Sequence, residues 1–190
     1  MDRSSGATIR YNFVHDCVKA GILIFGYDGV HSTGNSIYDN LVWSINVNGW
    51  TVPGYSMGIG AYQVETTNIF NNTIWNVTPN VNSAVLYVSG DAGQTYAGDS
   101  LENNIVGPAL GASRSNLRTR GAGTYTSFAS DYNDCYDSAG LVLIDSGNTY
   151  NTLAAYQAGS GQDAHSLNAD PKFRNATGAD FTLLLPRALN

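Results

Sequence analysis

The chain has 190 residues, enough for one domain with a sizeable core, and its 43% apolar content excludes a disordered polymer. Only 13% of residues are charged while Gly, Asn, Ser, Thr and Tyr abound, which disfavours long amphipathic helices and favours extended structure with polar turns. A net charge of −6, a pI near 4.7, only two lysines (Lys19 and Lys172) and no apolar run of about 18 residues leave neither nucleic acid nor a membrane as an expected partner.

In chain order, the opening Met1-Asp2-Arg3-Ser4-Ser5-Gly6 lacks the charged-then-apolar order of a secretory leader. Compartment therefore stays open, with an extracellular setting expected if a leader has been removed. A repeat begins at Ile9: an aliphatic residue, two variable residues, an Asn, one residue, a second aliphatic. It occurs at Ile9–Val14, Ile37–Val42, Ile69–Ile74 and Leu101–Val106, with a degenerate fifth copy over Phe128–Asn133 whose key polar residue is read as Asp131. The polar positions 12, 40, 72, 104 and 131 lie 28, 32, 32 and 27 residues apart.

Helical repeats need apolar residues at i, i+3, i+4 and i+7, which these segments lack, whereas β-branched pieces between Gly, Asn, Asp and Ser read as strands and turns. Asn suits a recurring bend because it tolerates left-handed backbone, and stacked Asn side chains can bond from coil to coil. A second apolar piece follows each bend, at Gly21–Phe25, Met57–Ala61, Ala84–Val88 and Leu141–Ile144, so every coil holds at least two strands. These residues predict an all-β fold, a single-stranded right-handed parallel β-helix solenoid of about five coils over residues 1–148, closed by a cap over 149–190. A short helix near 151–158, with Asn151 or Thr152 as N-cap, is expected in that cap.

The repeat resembles the right-handed parallel β-helix superfamily that includes pectate lyases, polygalacturonases and many bacterial proteins. Ser130–Asn133, Asn151–Gln157, Gly161–Ser166, Ala169–Phe173 and Asp180–Leu183 resemble the closing segment of bacterial β-helix proteins, while Leu184–Asn190 departs from the family's small-residue ending. The resemblance implies a terminal cap and a polysaccharide-related activity. No equivalent cap precedes Ile9, so a second copy of the chain is expected to cover the first coil, the alternative being that the sequence is a piece of a longer protein.

Coils stack about 4.8 Å apart, so residues at one offset from the Asn form columns. Val14, Val42, Ile74 and Val106, two residues past it, form an inward column; His15, Trp43, Trp75 and Gly107 follow and point outward. Outward rings make a platform on which sugars stack, which nominates His15, Trp43 and Trp75 as binding residues, extended by Arg10 and Tyr38 from the column two residues before the Asn. The alternative reading is that the rings pack beneath a loop or a subunit contact. Cys17 and Cys135 fall on the first and fifth coils, about 19 Å apart, so two free, buried thiols are expected.

Lyases on the resembled fold use a basic residue with calcium, and hydrolases use clustered aspartates; neither pattern stands out here. Asp28, His31, Glu65 and Asp91, after the second strands, are the catalytic candidates, against solvated turn residues as the plainer reading. Asp91 and Asp99 are the candidates for calcium, and no other cofactor is implied. Asp163-Ala164-His165-Ser166 is read as capping structure, and Arg118 and Arg120 as a solvated basic spot. The function expected is carbohydrate binding or processing, lyase- or hydrolase-like; the alternatives are a non-catalytic structural or oligomerisation module and a remnant of a larger β-helix enzyme.

Overall fold

Short β-branched segments separated by left-handed residues cannot extend into long strands, so they bend after two to six residues and stack. The computed structural model describes residues 5–46, 56–80, 82–112 and 114–184. The first turn runs through β1 (Thr8–Arg10), β2 (Phe13–His15), β3 (Ala20–Phe25) and β4 (Ser32–Thr33). The second uses β5 (Ser36–Tyr38), β6 (Leu41–Ile45), β7 (Met57–Tyr62) and β8 (Val64–Glu65). The third uses β9 (Asn68–Phe70), β10 (Thr73–Val77), β11 (Leu86–Ser89) and β12 (Thr95–Ala97), and the fourth β13 (Ser100–Glu102), β14 (Ile105–Val106), β15 (Leu117–Thr119) and β16 (Thr124–Thr126). An incomplete fifth holds β17 (Ala129–Asp131), β18 (Asp134–Cys135) and β19 (Leu143–Asp145).

Equivalent strands pair in parallel as β1-β5-β9-β13-β17, β2-β6-β10-β14-β18 and β3-β7-β11-β15-β19, while β4–β8 and β12–β16 form a narrow fourth side. The fold is a right-handed parallel β-helix of about four turns. Winding stops short of five because β20 (Asn148–Tyr150) doubles back antiparallel on β19. The inward columns are aliphatic: Ile37, Ile69 and Leu101; Val42, Ile74 and Val106; Ile59, Leu86, Leu117 and Leu143 are all at most 1% exposed. Val14, on the first turn, is only half-buried, as is the free thiol Cys17, whereas free Cys135 is buried in the core.

The bend between the first two sheets carries the asparagine ladder. The Asn12 and Asn40 backbone N–H groups donate to Oδ1 of Asn40 and Asn72 at 3.1 Å, and those of Asn72 and Asn104 to Asn104 and Asn133 at 3.1 and 3.0 Å. Each Nδ2 repeats the same step and also donates to main-chain carbonyls; that of Asn72 reaches Ile37 and Phe70. Two expectations change. The fifth rung is Asn133, not Asp131, because Glu102 pairs with Asp131 and the last interval is therefore 29 residues. The left-handed residue is also not the Asn but its predecessor: Tyr11, Asp39, Asn71, Asn103 and Tyr132 have φ of 53–58°. That bend turns each Asn side chain inward, along the stack.

Asn133 ends the ladder by donating its backbone N–H to Ser166 Oγ at 2.8 Å, and its Nδ2 to Asp163. Helix α1 (Leu153–Ser160) then crosses the open end of the core, its N-terminus capped by Thr152 and its Tyr156 fully buried. Thr119 Oγ1 meets the Tyr156 hydroxyl at 3.0 Å, and Arg120 clamps Asp145 at 2.6 and 2.7 Å, so Arg120 is structural. A hairpin of β21 (Phe173–Asn175) and β22 (Asp180–Leu183) completes the cap; residues 185–190 of the expected cap lie outside the described residues.

Each buried Ile or Leu contributes about 1.5–3 kcal/mol, against about 1 kcal/mol net for a hydrogen bond, so the apolar columns supply stability and the ladder sets register. Losing a rung is more damaging than that net value, because its neighbours stay buried. Asn72→Ala orphans the Asn40 N–H and takes a second donor from the Ile37 carbonyl, and is expected to lower stability by about 2–4 kcal/mol in urea unfolding. Asn12→Ala, at the exposed end, is expected to lower it by less than about 1 kcal/mol.

Candidate functional site

The His15, Trp43, Trp75, Gly107 column forms in register, but its rings pack against each other and against the cap. His15 is exposed and lies 6.1 Å from Trp43, centroid to centroid. Trp75 is 7% exposed: it lies across Gly107, where a Cβ would fall 1.8 Å from Trp75 Cε3, and stacks on Tyr136 at 6.1 Å. Phe173 and Phe181 of the hairpin meet Trp75 and Trp43 edge-on at 5.0 and 6.3 Å. The neighbouring column has the same limitation. Tyr38 stacks on Phe70 at 4.7 Å and 7°, and Arg10 covers the other side of Tyr38, donating to its hydroxyl at 3.0 Å. Rings stacked along the solenoid axis present their edges outward, whereas a sugar stacks on a ring face.

A different hollow opens on the outer face of β3, β7 and β11. Strand alternation there sends two columns outward, Leu23-Gly60-Tyr87 and Phe25-Tyr62-Ser89. Gly60 and Ser89 are small among large neighbours, and Met57 folds over Gly60, where a Cβ would lie 2.0 Å from its sulfur. The result is a cleft of about 450 Å³ lined by Leu23, Phe25, Tyr27, Met57, Tyr62 and Tyr87, with Asp28, Gln63, Asn82 and Asp91 as its polar groups. Tyr27 and Asp28 reach its rim on an Asp-Gly hairpin turn, Asp28 at φ 53° and Gly29 at φ 71°, closed by reciprocal Tyr27–Val30 bonds of 3.0 and 3.1 Å.

Asp91 is held from three directions. Its carboxylate accepts from the Tyr62 hydroxyl and from Gln63 Nε2, and its backbone N–H donates to the Tyr96 hydroxyl at 2.9 Å. Burial, then the bond to Asp91, pushes the Tyr62 phenol well above its ordinary range, so Tyr62 remains a donor. Since Nε2 must face the carboxylate, the assignment of the Gln63 amide is settled, and its buried Oε1 has no partner. The other two catalytic candidates adjoin this group: His31 Nδ1 lies 3.1 Å from Glu65 Oε1, and the His31 ring packs on Tyr96 at 4.7 Å. Asp28, His31, Glu65 and Asp91 thus gather on one side, two lining the cleft and two linked to it through Tyr96.

Asp99 belongs elsewhere. Asn35, Thr67 and Asp99, each five residues before a ladder Asn, form a second, shorter ladder: Asn35 Oδ1 accepts from Ala7 N–H at 3.1 Å and Asp99 Oδ1 from Thr67 N–H at 2.9 Å. Their constant offset from the Asn residues was a readable signal that the first ladder obscured. Asp99 is 2% exposed, and burial raises its carboxyl to about 7 against the Thr67 hydrogen bond, with nearby Glu65 adding to the rise. Among the described residues no group of three or more His, Cys, Asp or Glu could hold a metal ion; of the two calcium candidates, Asp91 lines the cleft and Asp99 is buried beside Thr67.

Two outcomes follow. Because Asp99 holds its proton more tightly folded than unfolded, its stabilising effect is complete below about pH 4 and is lost as pH rises toward 7. Asp99→Asn keeps the Thr67 acceptor and removes that slope; by thermal melts, the variant is expected to gain on the parent by up to about 4 kcal/mol between pH 4 and 7. Gly107→Ala drives a methyl into Trp75 and is expected to destabilise the chain by about 1–3 kcal/mol, with a change in tryptophan fluorescence.

Compared with protein-family models, with curated proteins and with solved structures, the chain finds no match in any of the three.

Proposed function

We propose that this β-helix binds a saccharide chain in the cleft on the outer face of β3, β7 and β11. One observation carries the reading: a hollow of about 450 Å³ that joins the rings of Tyr27, Tyr62 and Tyr87 to the carboxylates of Asp28 and Asp91. Ring faces take the apolar side of a pyranose, and carboxylates and amides take its hydroxyls. The likeness of the repeat to pectate-lyase-like β-helices points the same way, though fold alone does not assign activity.

Binding is favoured over cleavage. A glycosidase needs two carboxyl groups about 5–9.5 Å apart across the scissile bond, one of them protonated at working pH. Asp99, the carboxyl raised to about 7, is buried and does not line the cleft.

A glycan array spanning neutral, acidic and amine-bearing chains tests this reading. Specific binding is expected, reduced at least about tenfold by Tyr87→Ala and by Tyr62→Phe, which deprives Asp91 of a donor. Binding that neither substitution weakens, or no binding to any glycan, rejects the cleft as a saccharide site. Trp75→Ala, which removes packing beneath the hairpin, is expected to lower the melting temperature and leave affinity at low temperature nearly unchanged.

A further inference from the structure

The polar groups of this cleft are unequal in kind. Asp28 and Asp91 offer carboxylate oxygens, the only ionisable groups of the described lining besides the tyrosine hydroxyls, and the Gln63 amide N–H is already spent on Asp91. No Lys, Arg or His lines it among the described residues. Arg118, next after Tyr87 in its column, aims Nη1 at Asn82 at 3.5 Å and is not part of the lining.

Resting on the saccharide reading, we infer that the cleft selects amine-bearing sugars, in which a protonated amino group meets the carboxylates of Asp28 and Asp91 within a ring of tyrosines. An ammonium supplies three donors and a positive charge, satisfying acceptors that a hydroxyl meets singly. The rings of Phe25, Tyr27, Tyr62 and Tyr87 add their negative faces, which attract a desolvated cation. A uronic-acid chain, by contrast, would bring a carboxylate to two carboxylates on a protein of net charge −6. Polyuronides, the substrates to which the resemblance alone would lead, are therefore the class the lining opposes.

The test compares three oligosaccharides of equal length by calorimetry at mildly acidic pH, where amines carry protons: a glucosamine oligomer, its N-acetylated counterpart, and an oligogalacturonate. The amine form is expected to bind at least about tenfold more tightly than the N-acetylated form, a difference of about 1.4 kcal/mol, and the uronate not at all. Asp28→Asn is the decisive variant, because Asn-Gly serves the same hairpin turn and the fold is retained. It is expected to erase most of the preference for the amine over the N-acetylated form; Asp170→Asn, remote and equal in net charge, should leave the preference intact. Equal binding of the amine and N-acetylated forms, weakened by Tyr87→Ala, overturns the amine inference and leaves the saccharide reading standing. Tighter binding of the uronate also overturns it. Binding of none of the three, or of a simple alkylamine as tightly as the oligosaccharide, overturns the saccharide reading itself.

Discussion

At the bend of every turn a backbone N–H is drawn out of water with no strand partner in reach, and the structure depends on the oxygen that accepts it. That oxygen comes from the Asn of the following turn, at 3.0–3.1 Å through four consecutive steps. Left unsatisfied, such groups cost about 1–3 kcal/mol each, a large part of a typical folding free energy. Aliphatic columns alone would tolerate slippage between turns, since Ile over Leu packs nearly as well as Ile over Ile. A chain of buried amides does not, because a one-residue shift would orphan every rung. The outer columns that build the cleft are aligned because this inner chain is.

How far the sequence discloses the molecule depends on whether a column keeps constant spacing. Ladder intervals of 28, 32, 32 and 29 residues vary little, so the bend, the inward Val42-Ile74-Val106 column and the parallel stacking were legible. The last rung misled because Asp131 and Asn133 are both polar and two residues apart, and only the pairing of Glu102 with Asp131 separates them. The cap helix was legible because Thr152 precedes a helix-forming run. The cleft was not, since Leu23, Gly60 and Tyr87 of one outward column lie 37 and 27 residues apart, across loops of unequal length. Its acids were nevertheless among the residues nominated from the second strands.

In the tryptophan column the alignment is right, while exposure falls from an exposed His15 through a half-buried Trp43 to a buried Trp75. His15, Trp43 and Trp75 do stand in register, yet outward from the coil is not outward from the protein once a later segment returns. Phe173 and Phe181 come from far down the chain, and nothing in the repeat announces where they land. Gly107 could have been a clue, since a gap in a column of rings lets one ring lie flat across it. Large apolar groups on a solenoid are most economically covered by the chain's own tail.

The ladder also has a direction. Each turn's bend amide is satisfied by the turn after it and by none before, so the two ends of the stack are not equivalent. Peeling away the Asn12 turn takes carbonyl partners from strand and loop groups such as Leu41 N–H, but leaves every remaining bend amide satisfied and returns Asn40 Oδ1 to water. Peeling from the other end would uncover Asn133, whose N–H depends on Ser166 and whose core is plugged by Tyr156. The solenoid thus has a soft end and a hard end, and native-state amide exchange should spread from one pole as a wave of declining openness rather than from both.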